Sequence, residues 1–119
     1  MTTYYVVQTN PVEGREDEYN DWYNSRHIPD VLAVAGFAAA RRYTLADLPK
    51  NATAPYRYLA LYEFEGDPAV ALENLAEAVA GGMLISDAMD QTPERGPRAY
   101  VYTPVADRVV AADLAAGTA

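Results

Sequence analysis

Between Tyr56 and Glu65 the side chains alternate, with Tyr56, Tyr58, Ala60, Tyr62 and Phe64 on one parity and Arg57, Leu59, Leu61, Glu63 and Glu65 on the other. A period of two sends successive side chains to opposite faces and predicts a strand. Residues 3–9, TYYVVQT, are β-branched and aromatic and stop at Asn10-Pro11, a second strand signal. Residues 37–45, FAAARRYTL, read as a strand from their aromatic ends and the preceding Gly36, although the alanines also suit a helix. Residues 98–103, RAYVYT, form a fourth strand before Pro104. Helical spacing fills the gaps. The run 15–27 carries Glu16, Asp17 and Glu18 in its first turn, where the helix dipole favours negative charge. Pro29 then opens a short second turn that Gly36 closes, with Val31, Leu32 and Val34 inward. Asp67 as N-cap and Pro68 at the first position start another helix, whose apolar side is Val70, Leu72, Leu75, Ala76 and Val79 and whose stop is Gly81-Gly82. Residues 46–55 read as an exposed loop, 83–91 as a short irregular helix, and 105–119 as a tail with one helical turn.

The order β-α-β-β-α-β predicts an α+β, ferredoxin-like fold: a four-stranded antiparallel sheet with both helices on one face, in a single domain spanning 1–119 with its core at 3–104. The other sheet face should then be polar. It is not, because Leu59 and Leu61 oppose the tyrosine parity of the alternating strand, and Tyr4 and Val6 oppose Tyr5 and Val7. Two apolar faces on one sheet predict a homodimer packed through the sheet faces. The alternative is that the tail or the 83–91 segment covers that face within one chain.

Charge narrows the partners. Nine basic against 17 acidic residues give a net charge of −8, which works against a phosphate-backbone partner or an anionic membrane surface, and neither is expected. No apolar run approaches the ~20 residues of a membrane span, and a cytoplasmic location is the expectation. The absence of cysteine removes disulfide and thiolate chemistry.

Candidate chemistry concentrates in YNDWYNSRHIPDVL, residues 19–32, which hold the only tryptophan and the only histidine. Tyr19, Tyr23 and His27 are spaced i, i+4, i+8 and form one inward stripe beside Trp22. Pro29 disfavours helical geometry at Ile28, so the helix should end or kink at His27, leaving the imidazole at a helix C-terminus. His27 is the candidate general acid/base, with core packing or capping as its structural alternative. Tyrosine hydroxyls can hold a carbonyl or enolate oxygen. Tyr23 is the candidate catalytic partner, and Tyr5, Tyr58, Tyr62 and Tyr100 are candidates for substrate binding. Trp22 and Phe37 would be pocket wall or core. Asp30 orients the imidazole if the helix continues through Pro29, or is only an N-terminal charge for the next turn. Arg41 and Arg42 are expected to pair with surface carboxylates, with binding of an acidic substrate as the alternative. His27 and Asp30 offer at most two metal ligands, so no metal is expected. No nucleotide-binding or serine-hydrolase motif is present, and no cofactor is expected.

The opening strand, the stretch NPVEGREDEYNDWYNSRHIPDVLAVAGF and the helix opened by Gly66-Asp67-Pro68 resemble the EthD-like proteins of the dimeric α/β-barrel superfamily. The resemblance spans most of residues 3–104 and is carried by Trp22, Tyr23, Asn24, His27, Ile28, Pro29, Asp30, Ala35, Gly36 and Phe37. It implies a sheet-to-sheet dimer and a cavity in each subunit between sheet and helices. The superfamily includes polyketide cyclases, muconolactone isomerases, haem-degrading and cofactor-free monooxygenases, and proteins without assigned activity. The expected function is a small cofactor-independent enzyme moving a proton on a hydrophobic or aromatic carbonyl compound, in an isomerisation, cyclisation or lyase step. The alternatives are a non-catalytic small-molecule-binding accessory protein of a degradation pathway and a cofactor-free or haem-dependent monooxygenase, with His27 as the axial imidazole in the haem case.

Overall fold

The structure, a computed structural model, describes residues 2–115. Four strands form one sheet: β1 (Tyr4–Thr9), β2 (Phe37–Thr44), β3 (Tyr58–Phe64) and β4 (Arg98–Tyr102). Their spatial order is β2-β3-β1-β4, and every neighbouring pair is antiparallel. The chain therefore has the ferredoxin-like α+β topology. The helices are α1 (Glu16–Trp22), α2 (Ile28–Leu32), α3 (Pro68–Ala80) and a terminal α4 (Ala111–Ala115).

Register sorts the side chains. Tyr5 and Val7 pair with Tyr62 and Ala60 of β3 and with Val101 and Ala99 of β4, so these residues share the helix-covered face. Ala40 and Arg42 of β2 join them opposite Tyr62 and Ala60. The core between the layers is aromatic: Tyr19, Tyr23, Phe37 and Tyr62 are all buried, with Trp22, Val31, Ala71 and Met89. At the end of β1, Asn10 is 2% exposed and fully engaged. Its amide donates to the Pro55 carbonyl at 3.0 Å and its oxygen accepts from the Arg57 backbone N–H at 2.8 Å, which ties β1 to the start of β3.

The helix from Glu16 to Leu32 does not end at His27. Ile28 is helical, with φ −57° and ψ −52°, and its N–H reaches back five residues to the Tyr23 carbonyl. Residues Tyr23–His27 are thus one π turn between α1 and α2. Widening the helix by one residue there relieves the clash that Pro29 imposes on an α-helix, so helical structure runs on through Pro29, where an end or a kink at His27 was expected. Residues 83–91 form turns and a bridge between Pro11 and Met89 rather than a helix.

Candidate functional site

A cavity of about 240 Å³ lies between the sheet and the helices. Tyr5, Val7 and Thr9 of β1, Tyr62 of β3 and Ala99 of β4 line its sheet side. Tyr23, His27 and Val31 close it from the first helix, Leu75 and Val79 from α3, and Ile85, Met89 and Pro97 from the connection to β4. Tyr23 and His27, four residues apart at the two ends of the π turn, face this space together.

The polar content of the cavity is small and specific. His27 Nδ1 and Tyr62 Oη are both buried and without hydrogen-bond partners among the described residues. Buried polar atoms are ordinarily satisfied, so two orphans in one wall are unusual; the Tyr62 hydroxyl has the Tyr23 phenol beside it, and the imidazole nitrogen has no polar neighbour in hydrogen-bonding contact among the described residues. The imidazole is stacked on Trp22, with ring centroids 4.7 Å apart, and meets the Tyr23 ring edge-on at 5.0 Å. Burial lowers the His27 pKa to about 4; Asp30 acts against this and Arg42 with it. The ring is therefore neutral at pH 7. Burial raises the Tyr23 phenol to about 12. Tyr62 is pushed well above the ordinary phenol range, first by burial and then by the adjacent Tyr23 phenol. The site thus holds a neutral imidazole and protonated phenols, and no lining residue carries a charge at neutral pH.

The other expected residues fall outside this lining. Asp30 is paired with Arg26 at 2.9 Å and makes no hydrogen bond to the imidazole, although the helix runs on through Pro29. Trp22 backs His27 and donates its indole N–H to the Leu84 carbonyl at 3.3 Å. Phe37 packs behind Tyr5 and Tyr62, with ring centroids at 6.4 and 6.0 Å. Tyr58 faces the helices but turns its hydroxyl to Glu16 and Asn20. Tyr100 lies on the opposite sheet face, opposite Val6, and is 57% exposed.

Several lining residues escaped the sequence reading. Val7 and Thr9 share the parity of Tyr5, and Leu75 and Val79 are one helical turn apart, so both pairs had a periodic signal. Ile85 and Met89 had none, because nothing in an irregular segment tells which way a side chain turns. Arg42 corrects another expectation. It forms no ion pair among the described residues and lies over the Tyr23 ring at 4.2 Å. A larger groove of about 730 Å³ under the 45–57 loop is open and polar, but its arginines are already engaged, Arg57 with Glu16 and Arg95 with Asp90. Among the described residues there is no cluster of His, Cys, Asp or Glu able to hold a metal, and no helix long and apolar enough to cross a membrane.

No protein-family model matches the chain, and no curated protein sequence does. Solved structures do. A putative monooxygenase from Shewanella loihica PV-4 superposes with a TM-score of 0.56 at 12% identity, covering 90% of this chain and 99% of its own. A dimeric ferredoxin-like protein of unknown function from Jannaschia sp. CCS1 superposes with a TM-score of 0.57 at 24% identity, covering 87% of this chain and all of its own. At these identities the likeness establishes the ferredoxin-like fold.

Proposed function

We propose that the protein is a cofactor-independent enzyme that moves a proton on a small, neutral, hydrophobic or aromatic carbonyl compound, and that it works as a homodimer joined through its outer sheet faces. The observation that carries this reading is a largely apolar cavity walled by a neutral imidazole and protonated phenols, in which His27 Nδ1 and Tyr62 Oη have no hydrogen-bond partner among the described residues. A neutral imidazole accepts a proton from carbon next to the carbonyl, while a phenol that stays protonated donates a hydrogen bond to the oxygen as it becomes an enolate. His27 is a weak base towards water. Inside a largely apolar cavity the imidazolium and the enolate form together as an ion pair, whose attraction is larger than in bulk water. Returning the proton to another carbon gives isomerisation, and attack or loss of a group from the same enolate gives cyclisation or a lyase step.

The EthD-like resemblance supports membership of the dimeric α/β-barrel group through the Trp22 to Asp30 stretch. The dimeric state of the Jannaschia protein supports the homodimer. The name of the Shewanella protein favours a second reading, a cofactor-free monooxygenase in which the same enolate reacts with dioxygen in place of a proton. Both readings start from one proton transfer.

The test is solvent exchange. In deuterated buffer the protein should accelerate deuterium incorporation beside the carbonyl of an apolar ketone such as 2-tetralone. His27→Ala should reduce the rate by ~10²–10⁴ and Tyr62→Phe by about 10². Oxygen uptake with the same compounds would select the second reading. Binding without exchange or oxygen uptake would overturn catalysis and leave a ligand carrier.

A further inference from the structure

Arg42 lies on the helix-facing side of β2, opposite Ala60, at the junction of the sheet and the first helix. Its guanidinium carbon is 4.2 Å from the centroid of the Tyr23 ring, 5.2 Å from that of Tyr58 and 5.3 Å from that of Tyr19. Nη1 donates to Asn24 Oδ1 at 2.7 Å and Nη2 to Asn20 Oδ1 at 2.9 Å. Both acceptors are neutral amides. What sets it apart from the other arginines without a carboxylate contact is that it is half-buried and lies over three tyrosine rings. The nearest acid in its hydrogen-bond network, Glu16, is reached only through Asn20 and Tyr58, and its carboxylate is occupied by the Tyr58 hydroxyl and by Arg57. Arg42 is therefore a half-buried positive charge without an ion-pair partner among the described residues, seated over the Tyr23 ring, which stands perpendicular to the His27 imidazole with centroids 5.0 Å apart. Cation–π packing explains why the guanidinium rests on tyrosines. It does not require that two asparagines clamp it there in place of any acid.

We propose that Arg42 is a positioning residue that, acting through Tyr23, biases the cavity towards negative charge on the ligand oxygen held by Tyr62, and so selects neutral compounds with an ionisable hydroxyl or an enolisable carbonyl. The ligand half of this inference rests on the cavity being the functional site. Because the Tyr23 ring stands between Arg42 and the cavity, a fully charged carboxylate would lose its water without gaining a direct counter-ion. A group that develops its charge only after binding gains from the same field without that loss.

His27 is the natural reporter, since it is the one histidine in the chain. The groups arranged around it are Trp22, Tyr23 and Asp30 on its own helix, Arg42 from β2, Tyr62 from β3 and Tyr5 from β1. Of these only Asp30, already paired with Arg26, and Arg42 carry charge at neutral pH. An NMR titration of His27 in the ligand-free full chain should show its pKa raised by about half a unit or more in Arg42→Gln, whose amide still donates to the asparagines, and little changed in Arg42→Lys. Equal shifts in both variants, or none in either, would overturn the electrostatic role and leave packing. Binding of 2-naphthol and of its methyl ether, followed by Trp22 fluorescence, supplies the second arm. The preference for naphthol over ether should fall about fivefold in Arg42→Gln and persist in Arg42→Lys. An unchanged preference would overturn the ligand half. If neither probe binds the wild type while the His27 shift is present, the cavity reading and the ligand half fall together and the field of Arg42 stands.

Discussion

Burial keeps the His27 imidazole uncharged at neutral pH, and this couples the candidate site to the stability of the fold. Its pKa is about 4 in the folded chain and about 6.5 when unfolded. Between those values the unfolded state binds a proton that the folded state does not, so stability present above pH 6.5 is lost as the pH falls towards 4. The expected loss from this group is about 2 kcal/mol between pH 7 and pH 5, above the range in which carboxylates titrate. Urea denaturation at the two pH values should show it in the wild type and not in His27→Gln. An equal loss in both proteins would assign the acid sensitivity to other groups. At this scale the sequence told much about direction and little about partners. The i, i+4, i+8 spacing of Tyr19, Tyr23 and His27 placed all three inward, and Tyr19 and Tyr23 are 0% and 1% exposed. That Arg26 takes Asp30, and that Tyr62 lacks a partner, depends on side-chain positions that no periodicity encodes.

Element boundaries were legible wherever a local device sets them. Asp67 caps α3 by accepting from the Ala69 N–H at 2.9 Å, as the Gly66-Asp67-Pro68 signal implied. Pro29 misled because its effect on a helix has two outcomes, a break or a π turn, and tertiary packing chose between them. With helical structure continuing through Pro29, Tyr23 and Val31 are buried on either side of His27. Gly36 is a stronger constraint than its role as a stop signal suggested. It has φ +103°, and a Cβ there would stand 2.5 Å from the Ala71 Cβ, at the point where the start of β2 meets α3. Gly36→Ala should therefore destabilise by roughly 2 kcal/mol or more, combining backbone strain with overpacking. Ala71→Gly in the same chain should recover only part of the loss, because the strained φ and the 3.0 Å approach to the Ala71 Cα remain and glycine inside α3 itself costs about 1 kcal/mol. Full recovery in a thermal melt would show that backbone conformation contributes nothing at this position.

At the scale of the whole molecule the unresolved demand is the outer sheet face. Tyr4 and Val6 of β1, Leu59 and Leu61 of β3, and Tyr100 and Tyr102 of β4 share it by register. Among the described residues neither in-chain cover is in place; residues 116–119 of the tail lie outside them. Ile85 and Met89 of the 83–91 segment line the cavity on the helix side, and Tyr100 and Tyr102 stay 57% and 58% exposed while Val105 of the tail is fully exposed. An apolar surface running across three adjacent strands calls for a partner, and a two-fold axis through the sheet lets one self-complementary patch cover itself. Leu61 sits opposite Val6 on the two central strands, so a two-fold partner would bring a second Leu61 close to it. Leu61→Glu would then place two like charges in a desolvated interface, while its helix-facing neighbour Tyr62 is untouched. The wild type should show a dimer mass by light scattering at micromolar concentration and a melting temperature that rises with protein concentration. Leu61→Glu should run as a folded monomer by light scattering and circular dichroism. A monomeric wild type would remove this account of the two-faced apolar sheet. A dimeric Leu61→Glu of unchanged stability would move the interface elsewhere on the surface.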